Sequence, residues 1–333
     1  MTAATSFGLD LRRFARPLGG PGTFATVWIA LAALVLFGWL RYENFLSPYN
    51  VSSFLGYNSM FVLISVGMCL VIMTGGIDLS VGTVAALSSV VSAILSPLGL
   101  LVALPAGVAT GLLVGALNVG LILGLRLPPF MATLASMLAA KGAALVVSDS
   151  RAVPVDWASN FTALGMNKIG PLVPWTIVVA AVVVLAAWWV LERTPLGRTV
   201  LAVGGNAEAA HLMGLKTGRA IAFAYLFSGA SAGLAGVFLA SGYGAGQPLE
   251  GLGWELAAIA AVVVGGTLLT GGMGSIPATV AGALLFGLVF NLLNFENGRG
   301  VISLSAYWQS VIRGLFLLVV ILLQVRLARG ARP

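Results

Sequence analysis

Ionisable side chains are scarce in this 333-residue chain, so the few that fall among apolar residues mark where chemistry could occur. Asp78 is the foremost. It sits in Thr74-Gly75-Gly76-Ile77-Asp78-Leu79-Ser80-Val81-Gly82, a polar turn between two long apolar runs. Glu255, Lys141, Asn118, Asn291 and Gln309 lie within or beside other runs. Ionisable groups inside a membrane are costly and usually face a partner or a water-filled cavity, which makes each of these positions a site candidate, with Asp78, Asn118, Glu255 and Asn291 the candidates for a pathway or a helix break. For Asp78 a capping role is favoured over direct contact with substrate or proton. If a half-helix starts at Leu79, the carboxylate accepts the amide N–H of Val81 or Gly82 and complements the helix dipole. Gly75, Gly76 and Ser80 then belong to a helix break. Lys141 is expected to pair with Asp78 or Glu255, or to snorkel to the nearest interface.

A weaker copy of the turn returns 196 residues later, where Thr270-Gly271-Gly272 and Thr279-Val280-Ala281 repeat the offsets of Thr74-Gly75-Gly76 and Thr83-Val84-Ala85. Gly274 stands at the position equivalent to Asp78, so the shared element is the Gly-Gly break and not the acid. The chain reads as internally duplicated. Polar backbone between two apolar halves is tolerated at membrane depth only where protein buries it or it lines a cavity.

Catalysis finds little support. His211 is the only histidine and Cys69 the only cysteine, so a metal centre, a histidine-based triad or an internal disulfide lacks partners. Gly214-Leu215-Lys216-Thr217 does not have the order of a phosphate-binding loop. No catalytic or metal-binding residue is assigned, and no cofactor is expected in this chain. Any nucleotide-driven step belongs to another polypeptide.

The surrounding sequence explains where these residues sit. Charged residues make up 8% of the chain and hydrophobic ones 59%, with a mean hydropathy of +1.04, against roughly 25% charged in soluble domains. The fold class is therefore an all-α polytopic membrane protein. A span needs about 20 apolar residues, and the runs give about ten, some broken: 24–40, 52–73, 79–97, 99–125, 129–148, 172–191, 220–240, 255–270, 275–293 and 308–325. The net charge of +7 comes largely from arginines at the two tails, which read as topology signals and not as a nucleic-acid surface.

Alternating crossings from a cytoplasmic N-terminus place Arg126, segment 192–219 and the C-terminus inside, and 41–51, 149–171, 241–254 and 294–307 outside. Three regions follow: an N-terminal tail at 1–23, a transmembrane domain at 24–325 with a periplasmic loop at 149–171, and a basic tail at 326–333. By the same count both Gly-Gly turns fall on the cytoplasmic side, as in a parallel repeat. Seven tryptophans near run ends, Trp254 among them, suit headgroup anchoring. Small-residue rows such as Gly107, Gly111, Gly115 and Gly229, Gly233, Gly236 suit close helix packing.

Segment 192–219 is the longest polar stretch assigned inside. Asn206 can cap a short helix over 207–213, Glu208 suits its first turn, and Gly214 its stop. Such a helix is either a docking element or a simple connection.

Taken in order, Thr74 to Gly82, Leu127-Pro128-Pro129-Phe130-Met131-Ala132-Thr133-Leu134, Gly204-Gly205-Asn206-Ala207-Glu208-Ala209-Ala210 and Val263 to Gly272 resemble the permease subunits of ribose-type bacterial ABC sugar importers. Phe61 to Gly82, Gly204 to Gly214 and Asn291 to Gln324 look most like the galactofuranose-type members. The resemblance implies an inner-membrane permease, both termini cytoplasmic, that moves a galactofuranose-like or ribose-like monosaccharide by alternating access. Implied partners are a second permease, a cytoplasmic ATPase with duplicated nucleotide-binding domains that uses ATP and Mg, and a periplasmic binding protein. A related second permease is favoured, and a homodimer stays open. Asn206, Glu208, Ala209, Ala210 and Gly214 would form the coupling helix in the ATPase cleft. Relatives commonly carry Glu-Leu-Asp-Ala-Ile-Ala where this chain has Glu255-Leu256-Ala257-Ala258-Ile259-Ala260, and frequently Arg where it has Lys141. A stand-alone ion-coupled carrier with a duplicated fold is the alternative.

Overall fold

The computed structural model describes residues 21–298 together with positions 305, 308, 311, 312, 314, 315 and 318. The run expected at 308–325 lies largely outside the described residues, as do most of the two tails. Twelve helices follow in order: α1 (Pro21–Arg41), α2 (Pro48–Met73), α3 (Val81–Ile94), α4 (Leu100–Val119), α5 (Pro129–Val147), α6 (Ala163–Met166), α7 (Trp175–Arg193), α8 (Pro195–Gly205), α9 (Ala207–Leu212), α10 (Thr217–Tyr243), α11 (Trp254–Val264) and α12 (Ile276–Gly298).

Local chemistry sets several ends. Ser47 accepts the amide of Asn50 (3.3 Å) and Pro48 opens α2. Thr194 does the same for α8, accepting from Gly197 (3.3 Å) ahead of Pro195. A π-turn over Gly120–Gly124 extends α4, and Gly244 at φ 71° closes α10 in the left-handed form.

Among the described residues six helices are long and apolar enough to cross a membrane: α2, α4 with its π-turn, α5, α7, α10 and α12. The runs expected as spans at 79–97 and 255–270 are instead α3, with 14 residues, and α11, with 11. At 1.5 Å per residue these reach about 21 and 16 Å, short of the roughly 30 Å hydrocarbon core. Breaks trim them: Ser80 and the Ser96–Leu98 turn bound α3, while Gly253 (φ 84°) and the Gly265-Gly266 turn bound α11. The alternation that placed both Gly-Gly turns on one side counted α3 and α11 as crossings; without them four crossings remain between the turns, α4, α5, α7 and α10, so the count changes and its parity does not.

Helices α2 and α10 form the centre, with 78% and 67% of their apolar windows buried, against 22–28% for α4, α5 and α7, which leave broad faces for lipid. Glycine lets α10 take that place. A Cβ on Gly111 would meet the backbone of Gly229 and Gly233. One on Gly236 would meet Ala85, Ser88 and Ser89 of α3, and one on Gly67 would meet Ser228. The small-residue rows thus pack α4, α3 and α2 against α10 at backbone contact. Trp254 departs from the headgroup role: it is 5% exposed and stacks on Phe61 with ring centroids 4.9 Å apart. At the ends of α1 and α12, Tyr42 donates to Glu296 (2.8 Å), with Arg41 3.8 Å from the same carboxylate. Burial, and then the Glu296 carboxylate, raise the Tyr42 phenol above its ordinary range, so it remains a donor.

The stretch between α10 and α11 turns inward. Ala245–Gly246 pairs with Val153–Pro154, the amide of Gln247 donates to Ser89 Oγ (3.0 Å), and Gly251 lies on Gly82. It therefore follows α3 from Ser89 back to Gly82, so α11 begins beside the start of α3, inside the bundle.

Candidate functional site

Asp78 is 1% exposed and fully engaged. Its Oδ1 accepts the Ser80 amide (3.0 Å) and the Ser80 hydroxyl (2.6 Å), and its Oδ2 accepts the Ser228 hydroxyl of α10 (2.8 Å). Asn118 of α4 donates through Nδ2 to Ser80 Oγ (3.2 Å), and Thr133 of α5 donates to the Ile77 carbonyl (3.2 Å). One carboxylate thus gathers the turn, α3, α4 and α10, with α5 holding the neighbouring carbonyl. The detail differs from the expected cap: α3 starts at Val81, not Leu79, and the donors are both groups of Ser80 instead of the Val81 or Gly82 amides. The short Asp side chain closes onto the residue two positions on, a local turn that competes with helix and moves its first residue forward. Among the described residues no cation pairs with Asp78, and Lys141 forms no ion pair with it or with Glu255.

The two Gly-Gly turns meet each other. Gly75, Gly271 and Gly272 all take left-handed φ, at 83°, 85° and 78°. Gly272 donates its amide to the Met73 carbonyl (3.0 Å). A Cβ on Gly271 would meet the backbone of Gly75 and Gly204, one on Gly272 would meet Gly204 and Gly205, and one on Gly204 would meet Met73 O. Three chain segments, 74–76, 270–272 and 204–205, therefore touch through bare backbone, which only glycine permits there. The duplicated motif fixes the turns but not the helices: the short helix α3 follows the first turn, whereas the short helix α11 precedes the second. At Gly274, the counterpart of Asp78, a Cβ would press on the tips of the Met73 and Thr267 side chains. Cys69 joins the same junction, buried and taking the Thr279 hydroxyl (3.1 Å) beside Thr267 (3.6 Å).

Glu255 opens α11 and accepts the Gly253 amide (3.3 Å), with its other oxygen near Gly82. It borders the start of α3 without touching Asp78. Asn291 lies elsewhere, 15 residues along α12 from Ile276, or about 22 Å. There it exchanges amide hydrogen bonds with Asn50 (2.9 and 3.3 Å). Gly75, Gly76, Asp78, Ser80, Asn118, Gly271 and Gly272 thus form one neighbourhood with Glu255 at its border, and Asn291 is not part of it. Ser228, Thr133, Gly204 and Gly205 complete it and escaped the spacing argument. Lone hydroxyls and glycines in apolar helices carry no periodic signal, and only the intramembrane cost of Asp78 announced that donors had to exist.

Helix α9 leaves this junction directly. Asn206 Oδ1 caps the Ala209 amide (2.9 Å), and Gly214 (φ 79°) ends the segment. Ala210 is buried, whereas Glu208 and His211 are exposed and Leu212 and Met213 are 81% and 72% exposed. Helix α8, not anticipated within 192–206, buries Val200 and Val203 and props α9 against α10.

A bundle of apolar helices broken at glycine turns, with a capped surface helix tied to the breaks, is the architecture of a polytopic membrane protein. Residues 50–321 match the family described as branched-chain amino acid transport system / permease component. The ribose import permease protein RbsC of Escherichia coli K12 is 36% identical over 298 residues, covering 88% of this chain and 91% of the relative. The D-allose transport system permease protein AlsC is 35% identical over 297 residues (87% and 88%), and the inner membrane ABC transporter permease protein YjfF is 36% identical over 291 (85% and 86%), both from the same organism. No solved structure matches the chain. The chain belongs to this permease family, among the ribose-type importer permeases that its motifs resemble.

Proposed function

We propose that this chain is the transmembrane subunit of an ATP-binding-cassette importer of a monosaccharide, seated in the bacterial inner membrane with both termini cytoplasmic. Relatives named for ribose and D-allose support an aldose as cargo, and the resemblance to galactofuranose-type members favours a galactofuranose-like sugar over a ribose-like one. Helix α9 is the coupling helix, presenting Glu208, His211, Leu212 and Met213 to an ATPase that carries the ATP and Mg. A periplasmic binding protein delivers the sugar, and a second permease completes the pathway. A related but different permease suits the Ala257 that replaces the acid common in relatives, because the partner can supply it. In this chain that position is 8% exposed, among Phe286 and Ala260.

The observation that carries this reading is the placement of α9. It is rooted at Gly204-Gly205, where both broken helices meet, so a push on α9 reaches α2, α3 and the turn before α12 without a flexible intermediary. Asp78 is then a structural clasp beside the pathway. In the assembled transporter, Glu208→Lys and Gly214→Pro are expected to abolish stimulation of ATP hydrolysis by the binding protein, with the chain still inserted. Stimulation at the unaltered level in both variants would rule out the docking role.

A further inference from the structure

The stretch between α10 and α11 lies at a depth where irregular backbone needs a reason. Two hydrogen bonds set the scale. Ser92 Oγ of α3 donates to the Ala103 carbonyl (3.2 Å) near the start of α4, and Asn118 reaches Ser80 near its end. Helix α3 therefore runs alongside a helix long enough to cross the membrane in full. Ser89, which accepts the Gln247 amide, lies about 9 Å in from the first residue of α4, and Gly82, on which Gly251 lies, about 20 Å in. Residues 247–251 thus descend through the middle of a hydrocarbon core roughly 30 Å thick. They form neither helix nor strand.

The chain leaves the outer side of this segment uncovered. Leu249 and Leu252 are 63% and 51% exposed, Leu256 in the first turn of α11 is 51% exposed, and Glu250 and Gly253 are exposed with them. Among the described residues no cation pairs with the Glu250 carboxylate. Lipid does not suit this face, because irregular backbone and an unpaired acid find no hydrogen-bonding partner in hydrocarbon. Open water does not suit it either, since it would hydrate three leucines on one short stretch. A protein surface satisfies both, with apolar contact for the leucines and a donor for the acid. The fold itself carries a donor of the right kind. Lys141 of α5 lies about 12 Å beyond Thr133, the residue bonded to the Ile77 carbonyl, and so reaches a similar depth, and it forms no ion pair among the described residues.

We propose that residues 249–256 are the contact face for the second permease, whose own basic side chain, placed as Lys141 is here, meets Glu250. The inference rests on the reading of this chain as one of two permeases in a common core. Its consequence is mechanical as well as structural. The segment is pinned to α3 at Ser89 and Gly82, so the partner bears on the same short helix that begins at the Asp78 turn.

The test uses the full assembly in proteoliposomes, with the photo-crosslinker benzoylphenylalanine placed singly at Leu249, at Leu252 and, as a control on a lipid-facing helix, at Leu185 of α7, itself 60% exposed. Illumination at Leu249 and Leu252 is expected to join the two permeases in a band at least fivefold stronger than the control gives. In a second measurement, Glu250→Lys is expected to reduce the second permease that co-purifies with this chain at least threefold, and Glu250→Gln, which keeps an acceptor, to reduce it less. Crosslinks from both leucines to lipid alone, or to residues 299–333 of the same chain, overturn the proposal. So does a joined band equally strong from Leu185, or co-purification of Glu250→Lys at the wild-type level. A wild-type assembly whose intact mass holds a single permease chain would instead sink the two-permease reading itself.

Discussion

Asp78 sits inside the bundle with both of its carboxylate oxygens occupied by neighbouring side chains and backbone. Three hydrogen bonds from Ser80 and Ser228 join its two oxygens to the start of α3 and to α10. Removing it strands donors that water does not reach, at a cost on the order of 3 kcal/mol. Asp78→Ala should therefore lower the melting temperature clearly, and Asp78→Asn, which keeps one acceptor oxygen, should lower it less. If Asp78→Ala melted like the wild type while transport was lost, the carboxylate would belong to the pathway and not to the frame. The sequence made this residue conspicuous because charge is rare around it. It could not name Ser228, 150 positions away, since the bond depends on how α10 lies across the turn.

Among the elements, the glycine rows and glycine turns do different work. In the rows, glycine removes volume so that α4 and α10 touch. Gly111→Leu should cost more than about 3 kcal/mol, because the added atoms fall on the Gly229 and Gly233 backbone instead of a movable side chain. At the turns, glycine also supplies positive φ, and Gly271→Ala combines a strained backbone with a clash against Gly75 and Gly204. That variant should lose both stability and binding-protein-stimulated ATP hydrolysis, measured on the reconstituted assembly, whereas Gly120→Ala, at a glycine facing open space, should lose neither. The rows were legible from spacing, as were α9 and most long helices. The lengths of α3 and α11 were not, because hydropathy continues through Ser96-Pro97-Leu98 and Gly265-Gly266 while the backbone does not. Nor could spacing reveal that the two repeated turns touch, since contact between segments 196 residues apart is set by the whole bundle.

At the scale of the molecule, the described residues form one apparatus with two ends. One end is the junction of two broken helices and α9, built from bare backbone and offering Leu212 and Met213 outward. The other holds the Asn50–Asn291 and Tyr42–Glu296 contacts that tie α12 to α2 and to the segment after α1. Helices α2 and α12 join the ends. A displacement of α9 applied at Gly204 would be delivered along α2, one of the most buried helices of the bundle, to that other end. On the proposed reading that displacement comes from an ATPase docked on α9, which separates an ATP-driven permease from an ion-coupled carrier that works alone. The most direct test is monosaccharide uptake into vesicles holding this chain with and without its ATPase, with ATP inside and the ion gradients collapsed. The account predicts uptake only when the ATPase and ATP are both present, untouched by collapse of the gradients. Uptake by this chain alone, abolished by collapsing a proton or sodium gradient, would contradict it.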